Sequence, residues 1–392
     1  MITFAVMLEI IVRTLPLIVC VLWAIILMAD GHKQRIVAKL KLSAFMAVSA
    51  ILYFGHGVFF NGQYELMPLA DTLYCTANLA VFPVFYLYIK DVTEVQKHPL
   101  RQLLYLLPAI VIGCVVGALY VMMSTEETTA FIATYLYGSS VKGLHGVALA
   151  SAYVHVAARV IFALQIPPIL FFGYKRINAY DREVERNFAD VDDKKMYMAK
   201  SLLAFFVVAS IVSFIANLIG RERFVGSTWA VIIPSLTFST LLFLLGYAGH
   251  RLNFSVEKVM MEVENSPLEG QEIAEENLDF IDNLRKKLEL LVEEERIYLQ
   301  PDLRVSDVAR QLGTNREYVY QAINVRMGIS FSDYINSKRV EYAKKLLREN
   351  PDMSSDELFA RSGFNSSASF YRNFKQLTGM SPRQFVNSLA TV

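Results

Sequence analysis

Charged residues are scarce in this chain of 392 residues: they make up 19% of it, whereas about 25% is usual in soluble domains. Apolar residues make up 54%. This composition excludes a typical soluble enzyme and a disordered chain. The shortage of charge is uneven, because residues 285–392 hold 17 Lys and Arg and 13 Asp and Glu, an ordinary soluble mixture with net charge +4. Long apolar runs fill the chain before position 250. The sequence therefore predicts a membrane protein with a water-soluble tail.

Cysteines are few and catalytic motifs are missing. Cys20, Cys75 and Cys114 all fall in apolar runs and show no CxxC spacing, which argues against a disulfide framework or a zinc site and favours small buried apolar side chains. The sequence has no HExxH, GxSxG, Walker-type or GxGxxG motif in its required context. We therefore expect no enzyme activity, no metal site and no cofactor.

Seven apolar runs have about the 20 residues that a helix needs to cross the hydrocarbon core of a bilayer. They cover approximately 3–29, 42–60, 67–89, 102–123, 152–173, 201–219 and 228–249. The first run lacks the basic start and the small-residue cleavage site of a signal peptide, so we expect it to remain as a span. The sequence predicts an all-α protein whose residues 1–250 form a seven-transmembrane helix bundle.

The loops between the predicted spans set the orientation, because Lys and Arg accumulate on the cytoplasmic side. The odd-numbered loops hold 14 Lys and Arg and the even-numbered loops hold 3. This alternation places the N-terminus outside and the tail in the cytoplasm.

Residues 251–283 form an acidic linker, with nine acids and one base between 253 and 284. A second apolar pattern follows at spacings of three and four, through Leu278, Ile281, Leu284, Leu288 and Leu291. Such a pattern is compatible with a short dimeric coiled coil or with the first core helix of the tail.

Residues 284–392 contain two similar units of short helix, glycine turn and second helix, the form of a DNA-binding helix-turn-helix. The first unit runs from Ser306 through Gly313 to a second helix at 315–324, and the other runs from Ser355 through Gly363 to a helix at 367–377. A helix at 331–349 joins them. Its 19 residues give a rod of about 28 Å, comparable with the ~34 Å between successive major-groove segments.

The tail resembles the DNA-binding domain of the AraC/XylS family of bacterial transcription regulators over roughly 284–389. The resemblance is carried by Ser362-Gly363-Phe364, Ser369-Phe370, Arg372-Asn373-Phe374-Lys375, the run from Thr378 through Gly379-Met380-Ser381-Pro382 to Phe385, and, in the first half, Met327-Gly328-Ile329-Ser330-Phe331 and Lys338-Arg339-Val340-Glu341-Tyr342-Ala343. Phe359 stands where the family usually has Ala, and Ser362 where an aliphatic residue is common. The membrane half is not the family's usual ligand-binding domain, so the resemblance implies nothing about a ligand.

Two recognition helices follow from these patterns. In the first, Val319 and Ile323 should face the core, and in the second Phe370, Phe374 and Leu377 should do so. The outward residues predicted to contact DNA are Arg316, Tyr320, Gln321, Asn324, Tyr371, Arg372 and Lys375. We expect Gln321 and Arg372 to read bases and Arg316 and Lys375 to meet phosphates. By position, Gln321 and Arg372 match the family's usual base-contacting residues.

Ionisable residues inside the predicted spans are a second candidate site, because such groups are costly in lipid and usually face the bundle interior or a water-filled cavity. They are Glu9, Arg13, Asp71, His155 and Arg159. Glu9 and Arg13, like His155 and Arg159, lie four residues apart and so share a helix face. The interpretations are a polar ligand pocket, a coupling element, or structural contacts near span ends.

The sequence therefore indicates a membrane-tethered transcription regulator in the bacterial cytoplasmic membrane, which couples a signal sensed by the spans to transcription. Its expected partners are double-stranded DNA and the lipid bilayer, with a homodimer, an unknown signal or ligand, and RNA polymerase as candidates. Two alternatives stay open: a transporter-like protein with a regulatory tail, and a tail that serves as a protein-interaction module.

Overall fold

The computed structural model describes residues 4–93, 99–191, 200, 203–204, 228–251 and 278–389. The chain divides into two compact units, the first comprising Met1–Ile177 and Tyr197–Lys258 and the second Asn178–Met196 and Val259–Val392. Among the described residues there is no β-strand, and the isolated β-bridge found there joins Phe188 to Arg304. The all-α prediction is confirmed.

The first unit is built from long apolar helices. They are α1 (Phe4–Gln34), α2 (Val37–Phe60), α3 (Met67–Thr93), α4 (Leu107–Met122), the short α5 (Thr125–Phe131), α6 (Gly146–Asn187) and α7 (Thr228–His250). Helix α1 packs against α2 and α7, α2 packs against α3, and α3 packs against α4. Within the described residues, six of these helices are long and apolar enough to cross a membrane. The predicted span at 201–219 falls almost entirely outside the described residues.

Helix α6 extends well beyond the predicted span. The sequence places that span at 152–173, but the helix continues without a break for 42 residues, from Gly146 to Asn187. Its last ten residues, 178–187, belong to the second unit.

The segment between α4 and α6 is packed and not an open loop. Ser124 caps α5 in a reciprocal capping box with Glu127. Phe131 and Tyr135 are buried in one apolar cluster with Val116 of α4 and Ala152 of α6. This segment therefore covers one end of the first unit.

The second unit is a set of shorter helices. They are α8 (Leu278–Glu294), α9 (Val305–Gln311), α10 (Arg316–Tyr320), α11 (Phe331–Glu349), α12 (Ser355–Arg361), α13 (Ser367–Thr378) and α14 (Pro382–Leu389). A π-helical turn at Gln321–Val325 prolongs α10, and a 3₁₀ turn at Ile297–Leu299 follows α8. The structure gives α11 the same bounds, 331–349, that the sequence predicts.

Helix α8 decides between the two interpretations of the apolar pattern that begins at Leu278. Ile281, Leu284 and Leu288 are all buried, and Leu288 packs into the core of the tail with Val292. Side chains buried within their own chain cannot form a dimer seam. These residues belong to a core helix, whereas residues 252–277 of the predicted linker lie outside the described residues.

Candidate nucleic-acid interface

The first helix-turn-helix consists of α9, a turn at Gly313 and α10 with its π-helical extension. Gly313 has φ +63°, a left-handed conformation that favours glycine. The N-cap of the second helix is Asn315, whose side chain accepts a hydrogen bond from the backbone N–H of Tyr318 at 3.0 Å. Val319 and Ile323 are buried, as the pattern predicts.

The second helix-turn-helix has the same arrangement and consists of α12, a turn at Gly363 and α13. Gly363 has φ +80°, and a Cβ there would lie 2.7 Å from Leu299 Cα and 2.8 Å from the Tyr298 carbonyl oxygen. Glycine is therefore required for two reasons: the left-handed backbone conformation, and the close contact of the turn with the backbone that follows α8. Phe370 and Phe374 form the buried stripe.

Three residues of the second helix-turn-helix need comment, because the sequence predicted one of them in the core and two of them depart from the family pattern. Leu377 is not part of the core stripe: it is 49% exposed, near the end of α13, where Gly379 terminates the helix in a left-handed conformation. Phe359 packs against the core at partial exposure. Ser362 is buried and donates its hydroxyl to the Leu358 carbonyl at 2.6 Å. The core thus accommodates both departures from the family pattern.

Helix α11 serves two cores at once. Its first half, with Phe331 and Ile335, packs with the first helix-turn-helix, and its second half, with Val340 and Leu347, packs with the second helix-turn-helix. Between the two halves lies Arg339, which is fully buried.

Arg339 ties α11 to the turn after α8. Its Nε donates to the Tyr298 carbonyl at 2.6 Å and its Nη2 donates to the Gln300 carbonyl at 2.9 Å. Burial lowers the pKa of Arg339 to about 10 while the charges of Asp190 and Asp302 oppose that shift. The guanidinium stays charged at neutral pH and is a structural residue of the tail.

The second recognition helix presents an exposed face. Tyr371, Arg372 and Lys375 are all exposed, on the side of α13 opposite Phe370 and Phe374. The Tyr371 hydroxyl and the Ser355 hydroxyl lie 2.7 Å apart, which links α13 to α12.

The first recognition helix is less exposed. The four predicted contact residues are all half-buried: Arg316, Tyr320, Gln321 and Asn324. Tyr320 donates its hydroxyl to Asn324 Oδ1 at 3.0 Å. Gln321 begins the π-helical turn.

Sequence reasoning missed the element that covers this helix. Residues 184–191, at the end of α6 and just beyond it, are part of the tail core, where Val184, Phe188 and Ala189 are buried. The backbone N–H of Ala189 donates to the Leu303 carbonyl at 3.0 Å. The Ala189 carbonyl accepts from Asn336 Nδ2 at 2.9 Å and from the Ser332 hydroxyl at 3.0 Å. We call residues 184–191 the docking segment.

Arg186 of the docking segment lies against the first recognition helix. Its guanidinium sits 3.7 Å from the centre of the Tyr320 ring, and its Nη2 is 3.4 Å from Glu317 Oε2. One of the seven predicted DNA-contact residues is therefore stacked against a side chain of the docking segment.

The ionisable residues of the apolar half are only partly brought together. Asp71 Oδ2 lies 2.7 Å from His155 Nε2, and both residues are buried. Arg159 instead lies over the Tyr135 ring, at 5.6 Å. Arg13 donates to the Phe60 carbonyl at 2.8 Å, and the side chain of Glu9 lies outside the described part of the chain.

The cysteines differ in their surroundings. Cys20 and Cys75 are buried and Cys114 is exposed on α4, so the prediction of buried side chains fails at Cys114.

Comparison with known proteins identifies the tail. Residues 308–388 match the family described as "Helix-turn-helix domain", so the chain carries an AraC-type helix-turn-helix domain at its C-terminal end. No solved structure matches the chain.

Several bacterial regulators are similar to this chain. The "Msm operon regulatory protein" of Streptococcus mutans is 28% identical over 155 residues, which cover 38% of this chain and 55% of that protein. The "Uncharacterized HTH-type transcriptional regulator YtdP" of Bacillus subtilis is 34% identical over 86 residues, 22% of this chain and 11% of that protein. A regulator from Staphylococcus aureus is 29% identical over 89 residues, 23% of this chain and 12% of that protein. The matched region thus spans about half the length of the first relative and about a tenth of the other two.

Proposed function

We propose that this protein is a membrane-tethered, sequence-specific transcription regulator, in which residues 1–250 sense a signal and residues 284–392 bind DNA. The observation that carries the proposal is the docking segment. A helix of transmembrane length and apolarity ends in residues that are built into the core of an AraC-type helix-turn-helix domain. A change in α6 would reach the DNA-binding unit directly along the chain.

The topology that fits this function is a multi-pass protein of the bacterial cytoplasmic membrane. The N-terminus lies outside, and both the docking segment and the tail lie in the cytoplasm. The loop between the fifth and sixth predicted spans supports that placement, since it carries seven Lys and Arg.

DNA reading is assigned to the two recognition helices. Arg372 is suited to pair with guanine and Gln321 with adenine, while Arg316 and Lys375 would hold phosphates. Tyr320, Asn324 and Tyr371 lie on the same two helices and complete the contact surface. The 19 residues of α11 give a spacer of about 28 Å, suited to adjacent major-groove segments.

Coupling would act through the docking segment. With Arg186 against Tyr320 and Glu317, the first recognition helix is occupied by the protein's own side chain, whereas the face of α13 remains exposed. A signal that moves Arg186 away from Tyr320 and Glu317 would free the first helix and raise DNA affinity. A ligand shifts such an equilibrium only by its differential affinity for the two states.

The modest net charge of +4 over residues 285–392 limits nonspecific DNA affinity, so paired operator sites bound by a homodimer would suit this regulator. RNA polymerase is the natural partner of a regulator bound beside a promoter.

The proposal is tested by selecting bound sequences from a random duplex library with the full-length protein in lipid nanodiscs. Arg372→Ala should weaken binding to the enriched sequence by roughly 5- to 150-fold, the worth of one bidentate base contact of 1–3 kcal/mol. Lys345→Ala removes the same charge from an exposed site on α11 and should bind almost normally. If no sequence is enriched, the tail is a protein-interaction module and the proposal fails.

A further inference from the structure

Three side chains that metal ions favour converge inside the first unit. Asp71 and Cys75 lie one turn apart on α3, and His155 projects from α6. All three are buried, and their ligand atoms lie within 4.8 Å of one another. We propose that these residues form a site for a divalent transition-metal ion, with Zn²⁺ as the expected occupant.

The spacing requires little adjustment to accept an ion. Tetrahedral Zn²⁺ with bonds of 2.0–2.3 Å holds its ligand atoms about 3.3–3.6 Å apart. His155 Nε2 and Asp71 Oδ2 are separated by 2.7 Å. Opening that pair by about 0.6 Å brings it to this separation, and no pair among the three ligand atoms lies more than 4.8 Å apart.

Surrounding groups orient the ligands. His155 Nδ1 lies 2.8 Å from the Ser151 carbonyl oxygen. Since a carbonyl can only accept, Nδ1 carries the proton and Nε2 is directed at Asp71. A metal-bound histidine characteristically donates a hydrogen bond from the ring nitrogen that does not bind the metal. The Tyr120 hydroxyl donates to Asp71 Oδ2 at 2.9 Å and fixes the carboxylate.

Charge balance is compatible with a divalent ion. A carboxylate, a thiolate and a neutral imidazole carry two negative charges, which one divalent cation neutralises. Neutrality matters because an uncompensated charge in an apolar interior is costly. The competing arrangement is an imidazolium–carboxylate pair beside a neutral thiol, which is also neutral.

The three ligand atoms are one oxygen, one nitrogen and one sulfur, and this set determines which metal ions the site accepts. Mg²⁺ and Ca²⁺ prefer oxygen ligands alone, whereas Zn²⁺ and Co²⁺ accept this set. Three protein ligands leave a fourth position open, as in zinc sites that exchange a bound water.

The location suits detection of a metal from outside the cell. Phe131 and Tyr135, from the segment between α4 and α6, cover His155 with ring centres 5.3 and 5.8 Å from the imidazole. On the proposed topology this segment is extracytoplasmic, and α6 continues from His155 to the docking segment. The role of the metal as the signal rests on the proposed function, whereas the metal site itself does not.

Cysteine spacing could not reveal this site. The expectation of no metal came from the lack of paired cysteines, but here a single cysteine is joined by a carboxylate four residues earlier and by a histidine 80 positions later.

The test is titration of the purified full-length protein in nanodiscs with Co²⁺, followed by displacement with Zn²⁺. We expect one Co²⁺ per chain with a thiolate-to-cobalt charge-transfer absorption that Zn²⁺ abolishes. Cys75→Ser should remove the absorption, and His155→Gln should weaken binding at least tenfold. Cys20→Ser and Cys114→Ser are matched controls that should keep it.

The proposal is overturned if wild-type protein shows no such absorption, or if the absorption survives in Cys75→Ser. The first result uses the unaltered chain, so misfolding of a variant does not confuse it. DNA binding measured in the same nanodiscs separates the two proposals: normal DNA binding without the absorption refutes only the metal site. The absorption without DNA binding refutes only the regulator.

Discussion

Arg186→Ala should raise, not lower, the affinity of the full-length protein for its DNA site. The substitution removes a positive charge, which on electrostatic grounds alone would weaken binding to a polyanion. It also removes the side chain that lies 3.7 Å from the Tyr320 ring and 3.4 Å from Glu317. If that side chain competes with DNA for the first recognition helix, the second effect dominates.

The size of the increase follows from the two interactions that Arg186 makes with the first recognition helix. A cation–π interaction at a partly exposed site is worth about 0.5–1 kcal/mol. The ion pair with Glu317 is half exposed and adds about 0.2–1 kcal/mol. The sum of about 0.7–2 kcal/mol corresponds to a gain of at most roughly 30-fold, since a factor of ten is about 1.4 kcal/mol. The gain reaches this limit when the docked state predominates, because apparent affinity scales with the competent fraction.

The assay is fluorescence anisotropy with a labelled duplex and protein in nanodiscs. Arg182→Ala is the matched control, because Arg182 is an exposed residue one turn earlier on α6 and its loss changes the charge equally. We expect Arg186→Ala to bind more tightly than wild type and Arg182→Ala to bind equally or slightly more weakly. Equal or weaker binding by Arg186→Ala relative to Arg182→Ala would refute competition at the first recognition helix.

The remaining predictions concern the stability of the tail and are read by hydrogen exchange of its helices in the full-length protein. Gly363→Ala should cost roughly 3 kcal/mol, because the methyl group meets backbone at 2.7 Å in addition to left-handed strain of 1–2 kcal/mol. Gly379→Ala has a similar φ of +76° with nothing within 4 Å and should cost only about 1 kcal/mol; equal effects would contradict the proposed contact. Arg339→Met should destabilise both helix-turn-helix motifs by about 3 kcal/mol by leaving the carbonyls of Tyr298 and Gln300 without their donor. Lys345→Met, on the exposed face of the same helix, is the control for Arg339→Met. A loss of hydrogen-exchange protection confined to one helix-turn-helix would argue against a helix shared by both.

The helices of the tail could be predicted because their signals are local. Polar N-cap residues, a glycine in each turn and the 3.6-residue apolar period all lie within a few residues of the element that they define. Such signals placed α11 with its observed bounds and identified Val319, Phe370 and Phe374 as core residues. The apolar period predicted that Leu377 faces the core, but Leu377 is exposed because α13 ends one residue later.

The docking segment could not be predicted for the opposite reason. Its main contacts are made by the backbone of Ala189, with Leu303, Ser332 and Asn336 more than a hundred residues away. Because these hydrogen bonds are made by backbone groups, the residue types of the segment do not predict them. The convergence of Asp71 with His155 is similarly nonlocal, since it depends on which faces of α3 and α6 meet.

The apolar pattern at the start of the tail was ambiguous because a dimer seam and a core helix use the same spacing. Only the burial of Ile281, Leu284 and Leu288 within one chain separates the two interpretations.

Genome-wide crosslinking of the full-length protein to DNA, carried out on washed membranes, tests most directly whether the chain regulates transcription from the membrane. Transcription regulation from the membrane predicts discrete peaks in the membrane fraction that disappear in the Gln321→Ala/Arg372→Ala double variant and persist in Lys345→Ala. The absence of discrete peaks, or peaks that the double variant retains, would contradict it.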